Sequence, residues 1–160
     1  MTLLPKFWRR HFLIVEVVVA LVLSAAFAVW YFQHGGADAT CKVLEGNRAA
    51  IYGAVASIFG SLLGFVITAT SVVLGFSTSD KLAIVRESSE YPKLWKTFSS
   101  TIRTLALTTL VALVCLLFDK DTAPVQWLVM PLVVTLLVSL VRIMRIIWAL
   151  EHIIGLVTRD

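Results

Sequence analysis

Four ionisable side chains sit inside otherwise apolar runs of this sequence: Glu16, Arg103, Arg142 and Arg145. A charge at mid-bilayer costs about 2.5–3.5 kcal/mol on insertion scales, so an intramembrane charge is a candidate for function. Glu16 falls one turn inside the first run, Arg103 inside the start of the third, and Arg142 and Arg145 near the end of the fourth. Threaded through a bilayer, all four reach a similar depth. One chemistry is an ion pair between Glu16 and Arg103 or Arg142, with the other arginines snorkelling to the interface. Another is a ring of charge at the mouth of an oligomeric pore. A third is proton coupling through Glu16. No charge is expected near mid-membrane, so a central charged selectivity ring is not expected either.

A second pattern runs along the second apolar run. Gly53, Ser57, Gly60, Gly64, Thr68, Ser71 and Gly75 follow steps of 4, 3, 4, 4, 3 and 4, which align them on one helix face. Ala56, Gly60, Gly64 and Thr68 form a second ridge, and Val55, Phe59, Leu62, Val66 and Val73 lie opposite. Such a helix is sorted by size rather than polarity. The large face is expected to meet lipid and the small face to let another helix approach closely. That partner can be a helix of the same chain or of another subunit, or the stripe can face water as a pore lining. Weaker hydroxyl rows occur at Thr101, Thr104 and Thr108 and at Thr135 and Ser139. Hydroxyls in transmembrane helices often bond their own backbone.

Other chemistry finds little footing. His11, His34 and His152 are scattered, and Asp119 and Asp121 are expected to be solvated in a short turn. No nucleophile–base pair, phosphate loop or zinc motif is present. No enzyme, metal or cofactor is therefore expected. Cys41 could form an intermolecular disulfide in an oxidising compartment, whereas Cys115 reads as a small apolar residue.

The elements that must carry these residues are plain. The chain has 160 residues, 59% hydrophobic and 15% charged, against roughly 45–50% and about 25% in a soluble domain. Spans of about 20 residues are predicted near 12–32, 49–76, 101–118 and 125–148. They make one all-α transmembrane domain, a four-helix bundle, over residues 1–160. The first run is longer than a signal peptide's apolar core of about 7–15 residues and is read as uncleaved. Gln33–Arg48 is predicted to be a polar loop, with turns at Gly35-Gly36 and Gly46-Asn47. The short Asp119–Pro124 connection makes spans three and four antiparallel neighbours, and Pro124 suits a first helical turn. Ser79 to Glu87 reads as helix, and Pro92 can open the next one. Ile143, Ile146, Ile147, Leu150, Ile153, Ile154 and Val157 predict a last helix that runs past the membrane with one apolar face.

Lysine and arginine fix the expected topology. Eleven fall before span one, between spans two and three, or at the chain's end, and only Lys42, Arg48 and Lys120 fall on the other side. Both termini are thus expected in the cytoplasm. Trp8, Tyr91, Trp95 and Trp148 then mark the inner interface, and Trp30, Tyr52 and Trp127 the outer one. The basic inner face should attract anionic lipid at about 1 kcal/mol per well-placed charge. Nucleic acid is not an expected partner, since no basic run is interleaved with stacking aromatics.

From Ala49 to Val114 the chain resembles the RexB-like membrane proteins of phage exclusion. The likeness rests on the small-residue span from Ala50-Ile51-Tyr52-Gly53 to Gly75, the basic segment Lys81 to Glu87 with Tyr91 after it, and a further apolar span. It implies four spans and a channel-like protein that depolarises the cell. The outer loop and the long last helix are unmatched. The chain is also similar to the small multidrug resistance family, with four spans and an acid in the first. Glu16 stands nearer the inner edge than a midplane substrate site requires, and the charge bias fixes one orientation. The expected protein is a small homo-oligomeric ion channel or pore in a cell membrane, a bacterial inner membrane, with a defence or cell-death role. A proton-coupled transporter using Glu16 and a non-conducting partner or sensor subunit are the alternatives.

Overall fold

Apolar runs of this length have one solution in lipid, because every backbone polar group must be paired within the segment. The computed structural model describes the backbone of residues 4–76 and 91–157 and the side chains of residues 18–72 and 95–147. It contains α1 (Leu4–Gln33), α2 (Gly36–Leu44), α3 (Arg48–Phe76), α4 (Tyr91–Phe118), a 3-10 turn (Gln126–Leu128) and α5 (Val129–Val157). Among the described residues there is no β-strand, only a bridge between Lys120 and Ala123 that closes the α4–α5 turn. Segments Arg48–Val72, Trp95–Phe118 and Gln126–Ile147 are each long and apolar enough to cross a membrane. The shortest has 22 residues, and a rise of about 1.5 Å per residue exceeds the ~30 Å hydrocarbon core. Among the described residues, Val18–Gln33 and Gly36–Leu44 meet at a bend of 92° and count as a fourth candidate span if taken as one.

That bend corrects the expected polar loop at Gln33–Arg48, where α2 forms instead. Gly35 takes a left-handed φ of 69°, which lets the chain turn sharply between two helices. Gly36 begins α2 against Trp30, and a Cβ there would lie 2.6 Å from the indole ring. Leu44 turns inward while Asp38, Lys42 and Val43 stay exposed. Pro124 also departs from expectation. It lies in the turn before Gln126–Leu128, and Pro131 takes the first turn of α5.

α4 is the central helix. Thr101, Leu105, Thr108, Ala112 and Cys115 form a buried seam along it. It runs antiparallel to α3, since Tyr52 reaches Asp119 at one end and Gly60 faces Thr109 further along. It also runs antiparallel to α5, since Cys115 pairs with Leu128 and Ser100 with Arg142. α1 packs on α5. One apolar cluster gathers Tyr31, Leu44, Tyr52, Ala112, Cys115, Val129 and Leu132 at the end capped by α2. Phe59, Val66, Phe98, Leu105 and Ile146 form the other.

The large face of α3 does not meet lipid. Phe59 and Val66 are buried, and Val55 and Leu62 are partly so. They share a cluster with Phe98 and Leu105 of α4 and Ile146 of α5. Lipid and protein interior are equally apolar, so dispersion contacts decide which face turns in. The helical reading of Ser79 to Glu87 and the apolar face of α5 beyond Ile147 lie outside the described residues.

Candidate functional site

Two features stand out: a polar crown at the α2 end and an exposed row of small residues on α3. The crown is built where three helix ends meet. Arg48 opens α3, and Asp119 directly follows α4, still bonded to its helix through Asp119 N–H to the Cys115 carbonyl at 2.8 Å. Arg48 Nη1 lies 2.6 Å from Asp119 Oδ2, with the two side chains 4% and 0% exposed. The Tyr52 hydroxyl donates to the same oxygen, and the Val125 N–H donates to Asp119 Oδ1 at 2.7 Å. The acid expected to be solvated is therefore sealed, because Arg48, Tyr52 and Val125 supply what water would have supplied. Tyr52, expected as an interfacial aromatic, is buried by the same contacts. Asp121 does remain exposed. Its Oδ1 accepts the Gly46 N–H at 3.1 Å and lies 3.4 Å from Arg48 Nε. Tyr31 on α1 donates to the Gln126 carbonyl at 3.1 Å, and Phe32 packs on Trp127.

The electrostatics couple the helices. Arg48 stands at the positive end of its own helix dipole and Asp119 at the negative end of its own, and each opposes its charge. Each also lies beside the neighbouring helix end that favours it. The pair thus rewards docking of α3 on α4 and penalises either helix alone. An open cleft of about 440 Å³ lies over it, lined by Asp38, Cys41, Lys42, Glu45, Arg48, Asp121, Pro124 and Gln126.

Midway along the bundle, Thr108 and Ser139 bond at 2.7 Å, and the Thr108 hydroxyl also lies 3.0 Å from the Thr104 carbonyl and 3.1 Å from that of Thr135. Thr101 bonds the Thr97 carbonyl. The hydroxyl rows at Thr101, Thr104 and Thr108 and at Thr135 and Ser139 thus meet each other or their own backbones. At the end opposite α2, Arg142 is half-buried and donates to the Ser100 carbonyl at 2.8 Å and to its hydroxyl. Arg103 is exposed one turn away on α4, and Arg145 is half-buried. Glu16 lies on α1, and its side chain is outside the described residues, as are the surroundings of Gly75.

The small residues of α3 divide. Gly53 and Gly60 are half-buried, and a Cβ on Gly60 would make ordinary contact with Thr109 at 3.9 Å. Ser57, Gly64, Thr68 and Ser71 are exposed, and a Cβ on Gly64 would meet nothing. The exposed row of small residues is Ala50, Ala54, Ser57, Ser61, Gly64, Thr68 and Ser71, in alternating steps of 4 and 3. Sequence reasoning missed Ala50, Ala54 and Ser61 because it followed the glycines, which shifted the stripe toward α4. The signal was the strict repeat of 3.5. Thr68 and Ser71 bond the carbonyls of Gly64 and Ile67 at 2.9 Å. Among the described residues, Ser57 and Ser61 have no hydrogen-bond partner. Both stand in the middle stretch of an apolar span.

No family model matches the chain, and no curated protein or solved structure does. The fold and its features define an all-helical, multi-pass membrane protein, with three helices that can cross and a fourth if the bent pair is one span.

Proposed function

We propose that this chain is one subunit of a small homo-oligomeric channel or pore-like assembly, joined through the exposed row of α3. The observation that carries the reading is the exposed row of small residues on that helix, which stands beside the exposed Ile58, Phe65, Ile67 and Val72. Phe59 and Val66 turn into the bundle, while Ala54, Ser57, Ser61 and Gly64 turn out. A lipid chain gains nothing from that row. A second helix gains close backbone approach, and the free hydroxyls of Ser57 and Ser61 gain partners in it or in water. A 3.5-residue repeat stays in line with a neighbour when two helices wrap left-handed.

In this assembly both termini lie in the cytoplasm, the α2 crown faces outward, and the basic face with Arg103, Arg142 and Arg145 sits on anionic lipid. The likeness to RexB-like proteins supports a depolarising, defence-related role in a bacterial inner membrane. Planar-bilayer recording tests the reading. Purified wild-type protein should give discrete conductance steps, and Gly64→Leu should abolish them while the subunit stays folded. Silent wild-type protein at all voltages would remove the channel and favour a partner or sensor subunit.

A further inference from the structure

Arg48 stands between two acids with opposite surroundings. Nη1 holds Asp119 at 2.6 Å and Nε lies 3.4 Å from Asp121. The Asp119 side chain is sealed, whereas that of Asp121 is 44% exposed. We propose that Arg48, Asp119 and Asp121 form a two-position latch at the α2 end. In one position Arg48 binds Asp119 and clamps α3 to α4. In the other it is held by Asp121, Asp119 is released, and water in the cleft gains a path to the interior around Cys115.

Both positions keep their polar groups satisfied, as a two-state element requires. Asp121 is anchored by the Gly46 N–H and already lies 3.4 Å from Arg48 Nε, so Arg48 reaches the second position by giving up Asp119 alone. Asp119 on release keeps the Tyr52 hydroxyl and the Val125 N–H. The energies also oppose each other. The sealed pair gains more Coulomb attraction but gives up more hydration, and the half-exposed pair gains less and gives up less. The other charges over the latch, Asp38, Lys42 and Glu45, line the cleft. Below it, Cys115 is fully buried one turn before Asp119, packed with Tyr31, Leu44, Tyr52 and Leu132. Arg48 lines the cleft and pairs with Asp119, one turn from Cys115. This inference stands on the crown alone and does not depend on the oligomer.

Cys115 supplies the readout. The chain has two cysteines, so Cys41→Ser leaves one thiol. In full-length protein in lipid nanodiscs, the rate of Cys115 modification by a charged, membrane-impermeant methanethiosulfonate reports opening. Asp119→Asn should raise that rate at least tenfold over the Cys41→Ser parent. Asp121→Asn keeps an amide oxygen for the Gly46 N–H but loses the charge that holds Arg48 in the open position, and should slow the rate at least threefold. A clamp with no second position predicts the reverse for Asp121→Asn, an unchanged or faster rate, and that result overturns the latch. An Asp119→Asn rate equal to the parent's also overturns it. If Asp119→Asn does not fold, the Asp121→Asn comparison decides alone.

Discussion

Arg48 and Asp119 meet at 2.6 Å although 71 residues separate them in the chain. The contact joins the first residue of α3 to the residue that follows α4, and it pairs a fully buried carboxylate with a guanidinium that is 4% exposed. Removing one member of such a buried pair costs about 3–5 kcal/mol, because the other is left uncompensated. Arg48→Met and Asp119→Leu should each destabilise by that order, and the double variant by clearly less than their sum. Unfolding of the four proteins in mixed micelles with increasing dodecyl sulfate measures the cycle. Additive losses would mean that the pair contributes no coupling.

Tyr52 should contribute to the same carboxylate. A hydrogen bond to a charged group is worth about 1.5–3 kcal/mol, and the ring itself packs in the apolar cluster. Tyr52→Phe keeps the packing and removes only the donor. A loss within that range is expected in wild type, and a much smaller loss in an Asp119→Leu background. Equal losses in both backgrounds would place the effect of Tyr52 elsewhere.

The Thr108–Ser139 contact offers a milder test of α4 against α5. Interhelical hydrogen bonds in membranes average about 0.6 kcal/mol and reach about 1.7. Ser139→Ala should cost within that range, since Thr108 retains the Thr104 and Thr135 carbonyls as acceptors. Loss of several kcal/mol would show that the hydroxyl holds more than this one bond.

Gly36 is where the α1–α2 bend should fail. A methyl there would lie 2.6 Å from the Trp30 ring and 2.8 Å from the Trp30 carbonyl oxygen. Overpacking of this kind costs about 1–3 kcal/mol. Gly36→Ala should lower stability by that much and speed hydrogen exchange across Gly36–Leu44 while leaving α4 protected. Unchanged exchange in α2 would argue against the tight approach.

The exposed row of α3 predicts a contact between subunits. With both native cysteines replaced by serine, Ser61→Cys should form disulfide-linked dimers on mild oxidation. Leu110→Cys, on an exposed position of α4, should remain monomeric in dodecyl sulfate gels. Equal cross-linking of the two would mean random collision.

The membrane-crossing helices were legible because runs of about twenty apolar residues leave the backbone no other choice. The crown was not. Nothing near Asp119 in the sequence announces an arginine 71 positions away, and an acid in a short turn ordinarily faces water. α2 escaped notice because its nine residues alternate Asp38, Thr40 and Lys42 with small residues and carry only Val43 and Leu44 as large apolar groups. The exposed row of α3 is offset from the glycine stripe, with Ser57, Gly64, Thr68 and Ser71 common to both, because glycine was weighed above alanine and serine. Its large face was assigned to lipid because the sequence does not say that Phe98 and Leu105 of α4 and Ile146 of α5 come to meet it. The bond of Arg142 to Ser100 gave no signal in the spacing.

The most direct test of the central claim is the native mass of the purified protein in nanodiscs or mild detergent, for wild type beside Gly64→Leu. The account predicts a discrete assembly of three or more chains for wild type. It also predicts a folded single chain for Gly64→Leu, since a side chain at Gly64 meets nothing within its own subunit. A monomeric wild type, or an assembly untouched by Gly64→Leu, would contradict it.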